Sequence, residues 1–298
     1  MNNNEFLKII KRKGVGTING LPSGYDYSVS DKTLTLKLTK GVCDNMQDDS
    51  SAFESWALVL KFYCPQLISK VIIDWEDPKD SNNQHFNRFI YRLTRFVQNY
   101  EWADAAKHIP PMPALLYCSA PNDNTKGKDH YSSGSEDWLE CDFVERKRTD
   151  YDAIDHQFPV GLFDGKAADE TQFTPAGNRQ IDIWGVREGE FTIFELKKPG
   201  NKRLGIISEL MFYTNVVCDL LHHNIFIDKN KAERAIQNKF RGFDTFYDIY
   251  SGVKSISKIR AVFLAKEFHT LFNDDVLELI NQSIRLKRYN ITFEKEQP

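Results

Sequence analysis

RQIDIWGVREGEFTIFELKK, residues 179–198, is the stretch whose reading decides the fold. Two runs of alternating apolar and polar residues flank Glu188-Gly189, a pair suited to closing a tight hairpin. A two-residue loop there requires paired positions to sum to 377. Asp182 then opposes Glu195, Ile183 opposes Phe194 and Ile181 opposes Leu196. One strand face carries Asp182, Glu195 and Lys197; the other carries Ile181, Ile183, Phe194 and Leu196. Opposed side chains sit roughly 4.5–5.5 Å apart at Cβ, where like charges repel. Two carboxylates held this closely call for a cation, and a divalent metal is the natural one. Asp and Glu oxygens suit Mg²⁺, or Mn²⁺ in its place, and the lysine two residues beyond the glutamate projects on the same face. The set suits metal-assisted phosphodiester hydrolysis, with Lys197 orienting the attacking water or stabilising charge in the transition state.

The elements around the hairpin form an ordered series. The segment 135–147, SEDWLECDFVERK, reads as a helix with Glu136 and Glu140 on one face. A short strand near 158–163 follows, then the hairpin. GIISELMFYTNVVCDLL (205–221) reads as a helix, IRAVFLA (259–265) as a buried strand, DDVLELINQS (274–283) as a helix and YNITFE (289–294) as a closing strand.

With Asp182 on one strand and Glu195-Leu196-Lys197 on the next, this series resembles the PD-(D/E)XK nuclease superfamily over roughly residues 135–298. FELKKP (194–199) is also similar to the motif of Shedu-type anti-phage nucleases. The resemblance implies an α/β fold: a restriction-endonuclease-like mixed central sheet flanked by helices, here preceded by a separate smaller α/β domain. It implies Asp182 and Glu195 as metal ligands and Lys197 as a catalytic residue. The helix glutamate is Glu136 or Glu140, with Glu140 deeper in the amphipathic stretch. Glu209 and Tyr213 stand where relatives of the RecB exonuclease carry Gln-x-x-x-Tyr, and are supporting residues. Ile181 stands where the motif name has proline. The implied activity is Mg²⁺-dependent (or Mn²⁺-dependent) cleavage of nucleic acid, DNA before RNA, in defence against foreign DNA. The alternative is an inactive nuclease-like fold used for binding or assembly.

At 298 residues the chain exceeds one average domain. Residues 1–120 read as an α/β domain, with strands at DYSVS, TLTLKL, KVIIDW and PALLYCS and helices at SAFESWALVLKFY and HFNRFIYRLTRFVQNY. Its role is recognition, sensing or oligomerisation. The polar segment 121–136 reads as a linker and 137–298 as the nuclease-like domain. The stripe Phe86, Phe89, Arg92, Phe96 has helical spacing and reads as core. His222 and His223 are adjacent and point apart on a helix, which disfavours a shared metal. His156, among Asp150, Asp152 and Asp155, reads as a polar loop.

A net charge of −3 does not advertise a nucleic-acid binder, although Lys197, Lys198, Lys202 and Arg203 form a local basic cluster. The five cysteines, at 43, 64, 118, 141 and 218, are scattered, with no Cys-x-x-Cys pair. That usage favours a reducing cytoplasm over a zinc or disulfide framework. No apolar run is long enough to span a membrane, and the first residues lack a signal-peptide apolar core. The expected partners are nucleic acid and, for assembly, further copies of the chain.

Overall fold

The computed structural model describes residues 3–12, 21–39, 41–46, 49–78, 83–175 and 180–298. Arg179, which opens the hairpin stretch, lies outside them. Along the chain run α1 (Asn3–Arg12), β1 (Tyr25–Ser30), β2 (Thr33–Leu38), α2 (Phe53–Tyr63), β3 (Lys70–Trp75), α3 (Gln84–Asn99) and β4 (Ala103–Ala105). Next come β5 (Leu116–Cys118), α4 (Glu136–Lys147), β6 (Ala153–Pro159), β7 (Leu162–Asp164), β8 (Gln180–Arg187) and β9 (Glu190–Lys197). The last third holds α5 (Ile206–Leu221), β10 (Ile225–Phe226), α6 (Lys229–Gln237), α7 (Phe243–Tyr250) and β11 (Lys258–Ala265). It ends with α8 (Asp274–Asn281), α9 (Ile284–Arg288) and β12 (Ile291–Glu296). The fold is mixed α/β, with helices flanking several sheets.

Two compact units divide the chain. The first comprises Met1–Met112, Arg203–Ser208 and Phe268–Arg288. Its sheet has the order β1-β2-β3-β4, antiparallel in the first pair and parallel in the other two. Strict alternation in TLTLKL and KVIIDW buries Leu34, Leu36, Leu38, Val71, Ile73 and Trp75 on one face. Helix α3 starts at Asn83, whose side chain accepts the amides of His85 and Phe86. Of the stripe read as core, Phe89, Arg92 and Phe96 are buried and Phe86, in the first turn of α3, is half-buried. Arg92 is a core residue too: its Nε donates to Glu54 Oε1 at 2.8 Å, and its terminal nitrogens reach Glu54 Oε2 and the carbonyls of Met46 and Ser51.

Arg92→Met leaves Glu54 as a buried carboxylate without its cation. We expect a loss of about 3–5 kcal/mol in denaturant unfolding, largely recovered in the Arg92→Met/Glu54→Leu double variant. An Arg92→Met protein as stable as the parent would remove the ion pair from the determinants of this core.

The second unit comprises Pro113–Lys202, Glu209–Glu267 and Tyr289–Pro298. Its main sheet has the order β12-β11-β9-β8-β6; β12, β11 and β9 are parallel, while β9/β8 and β8/β6 are antiparallel. A second sheet has the order β10-β5-β7. These divisions differ from the expected ones. PALLYCS belongs to the second unit because β5 pairs with β7 and β10, and α8 belongs to the first, where it packs on α2. The segment 121–136 is no linker. Thr125 donates to Asp155 at 3.1 Å, and Lys128 bridges Asp142 and Glu145 at 3.1 and 2.8 Å.

His156 is likewise not in a polar loop. It lies in β6, where Ile154, His156 and Phe158 are all buried. The flanking aspartates mask an alternation that is plain once the strand is paired. His222 and His223 do diverge: His222 faces the Tyr289 ring and His223 the Tyr250 ring. All five cysteines are buried and none forms a disulfide. Among the described residues no helix is long and apolar enough to cross a membrane.

Candidate active site

The β8/β9 hairpin has the register read from its sequence: Arg187 pairs with Glu190, Val186 with Phe191, and so on to Ile183 with Phe194. Glu188 and Gly189 both take left-handed backbone angles, φ 50° and 75°, as a type I′ turn requires. Beyond Ile183↔Phe194 the ladder gives way to a side-chain bond. The Leu196 amide donates to Asp182 Oδ2 at 2.7 Å, which ties the aspartate to the strand bearing Glu195.

Ile183, Phe194 and Leu196 pack with Phe143 and Val144 of α4, Ile154, Val262 and Leu264. The carboxylate face is less polar than expected. Trp184, Val186, Phe191 and Ile193 share it and are all buried. Trp184 stacks on Phe191 at 5.6 Å, and Phe246 of α7 meets both rings. The sheet is thus covered on both sides, and the charged residues occupy the end where β8 begins and β9 finishes. Glu195 is only 2% exposed there.

Lys197 Nζ sits 2.6 Å from Glu195 Oε1 and 2.8 Å from Glu209 Oε2. Glu209, one turn into α5, is therefore the second anchor of the lysine. Tyr213, one turn further on, is buried. Of the two helix glutamates, Glu140 is buried and lies within electrostatic reach of Asp182 and Lys197. Glu136 instead accepts a hydrogen bond from Asn201 at 3.3 Å. In the basic cluster, Lys202 is paired with Glu267 at 2.7 Å, while Lys198 is exposed.

Burial raises the Asp182 carboxyl well above its ordinary range; Lys197 opposes the shift, Glu140 adds to it, and the Leu196 amide offsets part. Burial also raises Glu195, reinforced by Asp182 and opposed by Lys197. Burial alone would lower Lys197, but Glu195, Glu209 and Asp182 outweigh it and the ammonium keeps its proton. Burial, with Asp137 adding, pushes Glu140 up to about 8.

That last shift has a definite sign. An acid with a higher pKa folded than unfolded costs nothing below its unfolded value of 4.5, because both states are then protonated. The cost grows as pH rises from 4.5 to about 8. In metal-free protein Glu140→Gln should therefore match the parent near pH 4 and exceed it near pH 8 by about 3–5 kcal/mol. Denaturant unfolding at the two pH values measures this, and an equal offset at both would contradict it.

The donor set fits a hard divalent cation. Glu195 Oε2 is buried without a hydrogen-bond partner, beside an aspartate whose repulsion a bound cation would relieve. Among the described residues no group of three or more His, Cys, Asp or Glu side chains could hold a metal ion. Asp182 and Glu195 are the two carboxylates that could hold such an ion, with water completing its shell as Mg²⁺ commonly has it. No family model matches the chain, and no curated protein or solved structure is detectably similar to it.

Proposed function

We propose that this protein is a metal-dependent nuclease of the PD-(D/E)XK type, acting on DNA, with a restriction-endonuclease-like second unit. One observation carries the reading. Asp182 and Glu195 are fastened side by side on a doubly covered sheet, with a buried carboxylate oxygen left unsatisfied. Packing alone gives no reason to retain such a pair, since a buried carboxylate without full pairing destabilises a fold.

In this reading Asp182 and Glu195 hold Mg²⁺ or Mn²⁺. The bound ion would supply an acidified water and neutralise charge growing on the phosphate. Lys197 is held by Glu195 and Glu209 with its charge intact, ready to orient the nucleophilic water or to stabilise the pentavalent phosphorus. Glu140 lines the α4 side and Tyr213 backs the α5 side. The ordering of DNA before RNA follows the family resemblance, since both polymers present the same phosphates.

Purified protein incubated with plasmid, linear duplex and RNA should cut DNA in Mg²⁺ or Mn²⁺ and cut nothing in excess EDTA. Undiminished cleavage in EDTA would rule out the metal mechanism. Binding without cleavage under every metal condition would favour the inactive, assembly reading, and cleavage of RNA alone would reassign the substrate.

A further inference from the structure

Behind Glu140 lies a pair of residues that the nuclease reading has not used. His156 is 4% exposed, and its Nδ1 stands 3.5 Å from Glu140 Oε2. Both atoms are buried, and neither makes a hydrogen bond among the described residues, so the approach of the two is a contact and not a formed bond. On the far side of the ring, Nε2 is 3.5 Å from Cys141 Sγ, which in turn lies 3.4 Å from the Lys126 carbonyl oxygen. This is not a nucleophilic Cys–His pair: burial raises the Cys141 thiol to about 11 and lowers His156, so both are neutral. The thiol hydrogen can serve either the Lys126 carbonyl or the imidazole, so the ring can offer Glu140 a donor or an acceptor.

The next residue adds an independent observation. Gln157 adopts φ 58°, a left-handed angle that a non-glycine strand residue rarely takes, and it has no partner in the β6/β8 ladder. Successive strand residues normally point to opposite faces. Here both reach α4: His156 stands against Glu140, and Gln157 Nε2 donates to Asp137, one turn before Glu140, at 2.8 Å. Phe158 then turns to Phe243, Phe246 and Trp184. Strained backbone of this kind persists where the surroundings enforce it, and such residues cluster at functional sites.

We propose that His156 and Gln157 form a clamp that positions Glu140 within the candidate site, His156 through the close approach of Nδ1 and Gln157 by fixing α4 at Asp137, one turn away. The inference rests on the nuclease reading for its consequence in catalysis. Neither residue touches substrate; both act through Glu140.

The test uses the full-length chain and two readouts. The first needs no substrate: in ¹⁵N-labelled metal-free protein, Glu140→Ala should shift the His156 Nδ1 resonance. The second is single-turnover and steady-state cleavage of plasmid DNA in Mg²⁺. His156→Phe should lower kcat about 10–100-fold with KM nearly unchanged, and His156→Asn, whose amide can reach the Nδ1 position, should recover most of the loss. Gln157→Gly relaxes the left-handed backbone, so it should lower kcat without lowering Tm. This variant carries the test if His156→Phe folds poorly. Full kcat in Gln157→Gly, or a loss in His156→Phe that tracks Tm and that asparagine does not rescue, would overturn the clamp. An unmoved Nδ1 resonance in a protein that cuts DNA overturns the clamp alone. A parent protein that cuts nothing overturns the nuclease reading and with it the catalytic role assigned here.

Discussion

Glu195→Gln is expected to reduce metal-dependent cleavage by roughly 10²–10³-fold or more while raising the Tm of the metal-free protein. The two effects have one origin. Glu195 is 2% exposed, and its Oε2 has no hydrogen-bond partner. Asp182 and burial both disfavour its ionised form. Glutamine keeps the shape, leaves an oxygen for Lys197 and places an amide donor beside Asp182. Removing one buried negative charge from this cluster should stabilise the metal-free fold by about 1–3 kcal/mol. The gain should be largest at pH 8 and shrink toward pH 4, where the glutamate would be protonated in the parent. Mg²⁺ should raise the parent's Tm by linkage and leave the variant's nearly unmoved. A variant that melts lower than the parent and still cuts would assign Glu195 to structure and remove it from the metal site.

Lys197→Met is expected to have the next largest effect, and here the structure changes the expectation. A lysine on an exposed strand face would be dispensable for folding. Lys197 is instead 13% exposed and bridges Glu195 and Glu209. Its loss strands two carboxylates beside Asp182, at a cost of about 3–5 kcal/mol near pH 8, and less near pH 5 where they can take up protons. Stability alone therefore cannot separate catalysis from charge balance. Metal can. Saturating Mg²⁺ supplies replacement positive charge and should restore part of the lost stability, about 2.7 kcal/mol at one hundred times Kd. Cleavage should remain down about 10²–10³-fold, because an ion bound to Asp182 and Glu195 does not replace an ammonium directed at the reacting phosphate. Recovery of cleavage along with stability would show that Lys197 only neutralises its neighbours, and the nuclease reading would then stand on Asp182 and Glu195.

The hairpin was legible because its information is local. Two-residue periodicity, a Glu-Gly turn and a two-residue loop leave one register that keeps Ile183 and Phe194 together, and a slip by one would invert every side chain. Other long elements also carried local signals: α3 has a strong helical period, α5 is a long uninterrupted apolar run and β11 a short one. The short elements escaped. β4, β10 and α9 have three, two and five residues, too few to show a period, and exist through their neighbours.

The division of the chain into units was not local information. Residues 203–208 and 268–288 join the first unit although they follow 113–202 in sequence, because proximity in space and not chain order decides membership. The site divides in the same way. Sequence by itself determined that Asp182, Glu195 and Lys197 share one strand face, since pleat and register require it. Only the tertiary structure decided that this face is covered beyond its last residues, that Glu140 and not Glu136 approaches it, and that Glu209 grips the lysine. It also decided that His156 and Gln157, which look like loop residues among aspartates, stand behind Glu140. Each of these depends on packing between elements far apart in sequence, and no spacing along one strand or helix encodes it.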